Sequence, residues 1–430
     1  MAATELSALD FISGAEYQAN GYPHAAWARL RREAPVFWTE RADAFPFWAV
    51  TRHADIVAVS RQPRLWQNAP RLAVFPDLER EVEKRMAETG QTMEKARQQQ
   101  PDVRHLLNMD PPDHGRFRKL ASSHFTPRAL EPKRKAIEEI SADILDEFAR
   151  GGELSLGDFV EGVSVKLPLA VLLDMLGVPH SDWKLMMQWT NETIGATDPD
   201  YQQGQSALET AERSRLQLFG YFMQMVAERR QKPAPDTVSV LANAKLDGDW
   251  LPPIELLSFY YLLVVAGNET TRNATTGGLL ALIQHPAELE KLRRDPGLIR
   301  TAVEEIVRWT SPVIQFCRTA RTDTELRGQK IKAGEAVCLF YPSANRDEDV
   351  YPDGNVFRVD RDPNPHLGFG IGEHFCMGAH LARLELEVVL GQLVRRLEHV
   401  ELAGEVKRLR SSFVGGLKSM PIRYKLRPSR

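Results

Sequence analysis

The sequence predicts a mainly α-helical fold with a small β subdomain, and three observations carry that expectation. Helix-favouring residues dominate the 430-residue chain, while β-branched runs are few and short. The stretch after Pro252-Pro253 is largely apolar and unbroken until His285-Pro286, the punctuation of one long helix. Short strand-like pieces stand near the N-terminus and again between Arg318 and Leu339, with Gly328 and Gly334 as turn signals. No internal repeat or low-complexity linker divides the chain, so a single domain over 1–430 is expected.

Taken in order, Val36 to Trp38 and Phe47 to Thr51 read as strands. The charged segment Asp77 to Gln100 reads as a solvated helix or mobile loop. Arg128 to Arg150 is an amphipathic helix with Ile137, Ile140, Ile144, Leu145 and Phe148 on one side. Lys166 to Leu176 is apolar all round and should be buried, and Leu208 to Arg230 is again amphipathic. The long helix runs from Pro253 to about Gln284; some thirty residues span roughly 45 Å, enough to cross a domain. Leu298 to Thr310 is a further helix, followed by strands at Arg318 to Ala320, Leu326 to Ile331 and Ala336 to Leu339. A Pro- and Gly-rich coil fills Tyr351 to Gly372, and a helix is expected from Met377 to about Leu397.

Composition narrows the function. Hydrophobic residues make up 43%, charged residues 26%, and the net charge is −3, the balance of a soluble globular protein. No clustered basic excess points to a nucleic-acid partner. The N-terminal MAATELSALDFIS has no basic region followed by an apolar run, so no secretory signal is expected. Leu256 to Gly267, the longest apolar run, is broken by Ser258 and falls short of the ~20 residues a membrane span needs. The three cysteines, Cys317, Cys338 and Cys376, form no disulfide framework, and a cytoplasmic location is expected.

The coil ends in Phe369-Gly370-Ile371-Gly372-Glu373-His374-Phe375-Cys376-Met377-Gly378. Its three glycines let backbone approach a flat ligand closely. Cys376 stands at the start of a helix, where orphan N–H groups favour a thiolate that can ligate iron. Alone, it would read as an ordinary buried thiol. The ten-residue run resembles the haem-ligand signature of the cytochrome P450 family, F-G-x-G-x-H-x-C-x-G, at every fixed position. Three further motifs follow the same resemblance, which extends over nearly the whole chain.

The resemblance implies haem b held between the long distal helix and the helix after the cysteine loop, with Cys376 on the iron and Phe369, Gly370 and Gly378 beside it. Glu305 and Arg308 form the family's E-x-x-R, with Arg361 as third member clamping the ligand loop. In His114-Gly-Arg-Phe-Arg118, both His114 and Arg118 match propionate partners, as do Arg318 and His374; arginine's fork suits a buried carboxylate. Ala266-Gly267-Asn268-Glu269-Thr270-Thr271 matches the oxygen-activation motif. There Ala266 and Gly267 leave room for dioxygen, and Glu269 and Thr270 are the catalytic proton relay, with Glu269 connecting to bulk water. Leu262, Leu263, Ala266, Val313, Ile314 and Phe413 are expected to face an apolar substrate pocket.

The implied activity is hydroxylation or epoxidation of a hydrophobic small molecule such as a steroid, terpenoid or fatty acid, using O2. With no flavin or iron–sulfur segment in the sequence, electrons are expected from a ferredoxin and its NAD(P)H-dependent reductase, docking on Arg116, Lys119 and Arg128 of a monomer. A peroxygenase or a non-catalytic haem gas-binding protein are the alternatives; neither has a use for the acid–threonine pair.

Overall fold

The computed structural model describes residues 6–90 and 103–429. Pro253–Gln284 forms the axis of the molecule. It opens with proline at its first position, where a missing N–H costs nothing, and stops before Pro286. Its apolar faces explain its place, because most of its residues are buried. Lys166–Leu176, Trp183–Ile194, Ala207–Gln231, Ile299–Thr310 and Ala379–Arg396 all pack against it. Ala207–Gln231 begins in a capping box between Ser206 and Glu209.

The β subdomain is a five-stranded sheet in the order Val36–Arg41, Ala44–Val50, Ala336–Phe340, Gln315–Ala320, Trp66–Gln67. Ala336–Phe340 pairs parallel to Ala44–Val50 and antiparallel to Gln315–Ala320, so sequence-distant strands meet as expected. A second, three-stranded sheet of Leu397–Leu402, Pro421–Leu426 and Ser155–Asp158 was not anticipated.

Three expectations need correction. The helix over Arg128 to Arg150 is broken: Pro127–Leu130 and a tight turn at Glu131–Lys133 precede Arg134–Ala149, because Pro132 removes a helical N–H. Leu326 to Ile331 is a hairpin rather than one strand, turning on Arg327 and Gly328, both with positive φ. The helix after the cysteine starts at Ala379, with Gly378 as its N-cap, so Cys376 sits in the turn ahead of it. Within Asp77 to Gln100, Pro76–Thr89 is helical and ends on left-handed Gly90; residues 91–100 lie outside the described residues. Among the described residues no helix is long and apolar enough to cross a membrane.

Candidate active site

The cysteine loop, the long helix and the strand Gln315–Ala320 enclose one cavity of about 1570 Å³ of space between atoms, partly continuous with solvent. Cys376 forms part of its wall, with Phe369, Gly370 and Gly378 beside it and Ala266, Gly267 and Thr270 of the long helix also lining it. Backbone geometry fixes the cysteine: its N–H donates to the Phe369 carbonyl at 2.9 Å, and the Gly370 N–H donates to Leu367 at 2.9 Å. Gly370 and Gly372 both have positive φ, and a β-carbon on Gly372 would collide with the Ser60 carbonyl. Cys376 is exposed to the cavity, yet the protein around it still desolvates the thiol and pushes it up, against the Gly378 N–H and the charges of Arg118 and Arg383, which pull it down.

The loop is clamped from behind. Arg308 donates to both oxygens of Glu305, at 2.7 and 2.8 Å, with both side chains fully buried. Arg361 and Asn364 also bind Glu305, at 3.0 and 3.2 Å. Arg308 further binds the carbonyls of Asn345 and Gly354, and the Asn345 side chain receives the Leu367 N–H at 2.7 Å. The i, i+3 spacing puts the pair on one helix face, and its buried charges are compensated by hydrogen bonds.

A second clamp was not read from the sequence. Glu304 binds Arg383, which lies over the Phe369 ring at 4.5 Å, and also binds His366 Nε2 at 3.0 Å. His366 Nδ1 accepts the Gly368 N–H, which leaves Nε2 as the protonated nitrogen donating to Glu304. Burial pushes the Glu304 carboxyl up, but Arg383 and His366 more than offset it and bring it down to about 2.

At one end of the cavity His114, Arg118, Arg318 and His374 converge. The two imidazoles lie 4.0 Å apart, and Nε2 of each is buried with no hydrogen-bond partner. Burial, reinforced by His114, Arg318 and Arg118, holds His374 down to about 2, so its ring is neutral. His114 is lowered too, by burial, with Glu373 opposing. Arg118 also donates to the Phe375 carbonyl at 2.8 Å, tying this corner to the cysteine loop. Two orphaned imidazole nitrogens and two guanidinium groups suit a pair of carboxylates on a flat ligand whose centre meets a sulfur. The residues present therefore fit a haem.

Leu262, Leu263, Ala266 and Val313 line the cavity, whereas Ile314 and Phe413 do not. Regular pleating begins only at Gln315, so the alternation that turns Phe316 and Arg318 to the cavity does not reach back to Ile314, which is fully buried with Trp27 and Phe340. Phe413 packs on Phe75 and Phe316, centroids 5.3 and 5.4 Å apart, and it is Phe316 that faces the cavity. Thr271, the last residue of the oxygen-activation motif, also belongs to the wall, as do Asn68 and Leu172, which carry no sequence signal. Thr270 Oγ1 donates to the Ala266 carbonyl at 2.9 Å, the back-bond expected four residues along a helix. Glu269 departs from expectation. It is 2% exposed, absent from the cavity wall and paired with Arg272, so in this arrangement it has no contact with bulk water.

Comparison with known proteins agrees with this geometry. The family model "Cytochrome P450" matches residues 297–426. Cytochrome P450-terp of a Pseudomonas species is 38% identical over 414 residues, covering 94% of this chain and 93% of that protein. Steroid C26-monooxygenase of Mycobacterium tuberculosis is 37% identical over 426 residues, covering 96% and 92%. The crystal structure of Mycobacterium marinum cytochrome P450 CYP268A2 in complex with pseudoionone superposes with a TM-score of 0.86 at 36% identity, covering 97% of this chain and 98% of that one. The chain belongs to the cytochrome P450 family. It is a monooxygenase whose cofactor is haem b.

Proposed function

We propose that the protein inserts one atom of O2 into a C–H bond, or a double bond, of a hydrophobic small molecule of the steroid, terpenoid or branched-lipid kind. The observation that carries this is the shared cavity: Cys376 and Thr270 both face it, amid Leu262, Leu263, Val313 and Phe316. Apolar walls with few polar groups select a ligand by shape and burial. The names of the relatives, P450-terp and steroid C26-monooxygenase, support the same substrate range.

Haem bound through Cys376 supplies the activation of O2. The chain's own residues do the rest. Arg118, Arg318, His114 and His374 anchor the cofactor's carboxylates, and the Glu305–Arg308–Arg361 network holds the cysteine loop in register. Gly267 keeps the long helix slim beside the cavity; a β-carbon there would stand 3.2 Å from Leu172. Thr270 exchanges its bond to Ala266 for one toward the cavity, passing a proton that Glu269 provides.

Electrons arrive from a separate ferredoxin and its NAD(P)H-dependent reductase, with the protein acting as a cytoplasmic monomer. Lys119 and Arg128 are exposed and available to an acidic partner, while Arg116 is engaged by Asp113 and Asp247. The test is spectral and then kinetic. Reduction under CO should give the red-shifted Soret band of a thiolate haem, lost in Cys376→Ala. NADH-driven turnover with a surrogate ferredoxin should follow, with peroxide rising at the expense of product in Thr270→Ala. Normal coupling in Thr270→Ala would remove the relay, and a Cys376→Ala protein that kept the thiolate band would remove the whole reading.

A further inference from the structure

The environment of Glu269 assigns a role to a neighbour that the motif does not include. Both oxygens of this buried carboxylate are occupied: Arg272 Nη1 donates to Oε2 at 2.9 Å, and Asn273 Nδ2 donates to Oε1 at 3.2 Å. The same Arg272 nitrogen gives its other hydrogen to Asn191 Oδ1, also at 2.9 Å. Asn191 belongs to a different element, the helix Trp183–Ile194, which packs across the long helix. Arg272 is 2% exposed, so this bridge is shielded from water and salt.

We propose that Arg272 is a positioning residue that latches Glu269 to Asn191, so that the seating of the helix Trp183–Ile194 sets how readily the acid reaches Thr270. The inference rests on the relay reading of Glu269 and Thr270. It follows from the sharing of one nitrogen. A shift of Asn191 away from the long helix pulls Arg272 with it or breaks one of its two bonds, and either outcome changes the hold on Glu269. The neighbouring segment is itself anchored, since Thr197 donates to the Arg410 carbonyl at 2.9 Å and buried Asp198 accepts from Lys418 at 2.8 Å.

The test uses haem-loaded protein and phenylimidazole, an apolar iron ligand, as probe. Hydrogen–deuterium exchange is measured without turnover. With the probe bound alike in both proteins to hold the cavity wall constant, Asn191→Ala is expected to raise exchange at 272–276, on the long helix beyond the cavity-lining Thr270 and Thr271, relative to the wild type. Unchanged exchange there overturns the latch. Turnover adds a second arm. Arg272→Gln is expected to lower the product-to-peroxide ratio roughly tenfold, less than the hundredfold or more that a general acid–base group itself contributes, and to have no further effect in a Glu269→Gln background. An Arg272→Gln effect that persists there overturns the latch while leaving the relay standing. A Glu269→Gln protein with unchanged ratio overturns the relay itself.

Discussion

Arg383 grips both oxygens of Glu304, Nε to Oε1 at 2.6 Å and Nη2 to Oε2 at 2.8 Å, and lays its guanidinium over Phe369. The helix Ile299–Thr310 is thereby joined to the helix Ala379–Arg396 across the residue whose carbonyl receives the Cys376 N–H. Glu304 is held at about 2 against an ordinary value of 4.5. A depressed carboxylate stabilises the fold above its unfolded value, and that contribution is lost as pH falls through the window from 4.5 to about 2. Glu304→Gln should therefore lower Tm at neutral pH and by progressively less as the solution is acidified through that window. Thermal unfolding across pH reads this directly, and an equal penalty at both ends would refute it.

The Glu305–Arg308 pair is expected to be the costlier to break. Arg308→Ala takes the bidentate partner from a fully buried carboxylate, leaving it Arg361 as its one cation, and leaves the Asn345 carbonyl without its donor. The loss should be about 3–5 kcal/mol in urea unfolding. Arg308→Lys should restore little, because one ammonium cannot reproduce the fork.

Phe316 and Phe413 touch one another, yet only Phe316 faces the cavity. Phe316→Ala should weaken binding of an apolar ligand, followed by haem spectral titration, by about tenfold to a hundredfold, the value of one buried side chain. Phe413→Ala should cost stability more than affinity. Equal affinity losses would mean that Phe413 reaches the ligand after all.

Two left-handed glycines make a matched pair. Gly90 has open space where a β-carbon would go, whereas Gly372 meets the Ser60 carbonyl. Gly90→Ala should cost about 1 kcal/mol from backbone strain alone. Gly372→Ala should cost clearly more in Tm and should also reduce haem retention.

What was legible in the sequence was what is chemically unusual or periodic. Lys166–Leu176 was readable from its unbroken apolar run, and the long helix from its apolar length and the prolines that mark its ends. The four residues brought together around the orphaned imidazoles come from three separate stretches, and only motif resemblance could group them. Ile314 and Phe413 went astray because a cavity wall depends on where a strand's pleat starts, and local pattern does not fix that. The Glu304–His366 contact spans 62 residues and left no local trace. Glu269 and Arg272 were different: a second Glu-x-x-Arg begins inside the oxygen-activation motif and ends one residue beyond it, and its i, i+3 spacing was a usable signal.

The clamp behind the cysteine loop bears on how the chain folds. Glu305 holds the Arg358 N–H and Asn364 across 53 and 59 residues, and His53 meets the Pro365 carbonyl across 312. None of these contacts repays its loop-closure entropy until the intervening chain is already in place. The helices, built on local contacts, precede them. The sulfur is thus seated late in folding, and capture of the cofactor waits on the assembly of a nearly complete scaffold.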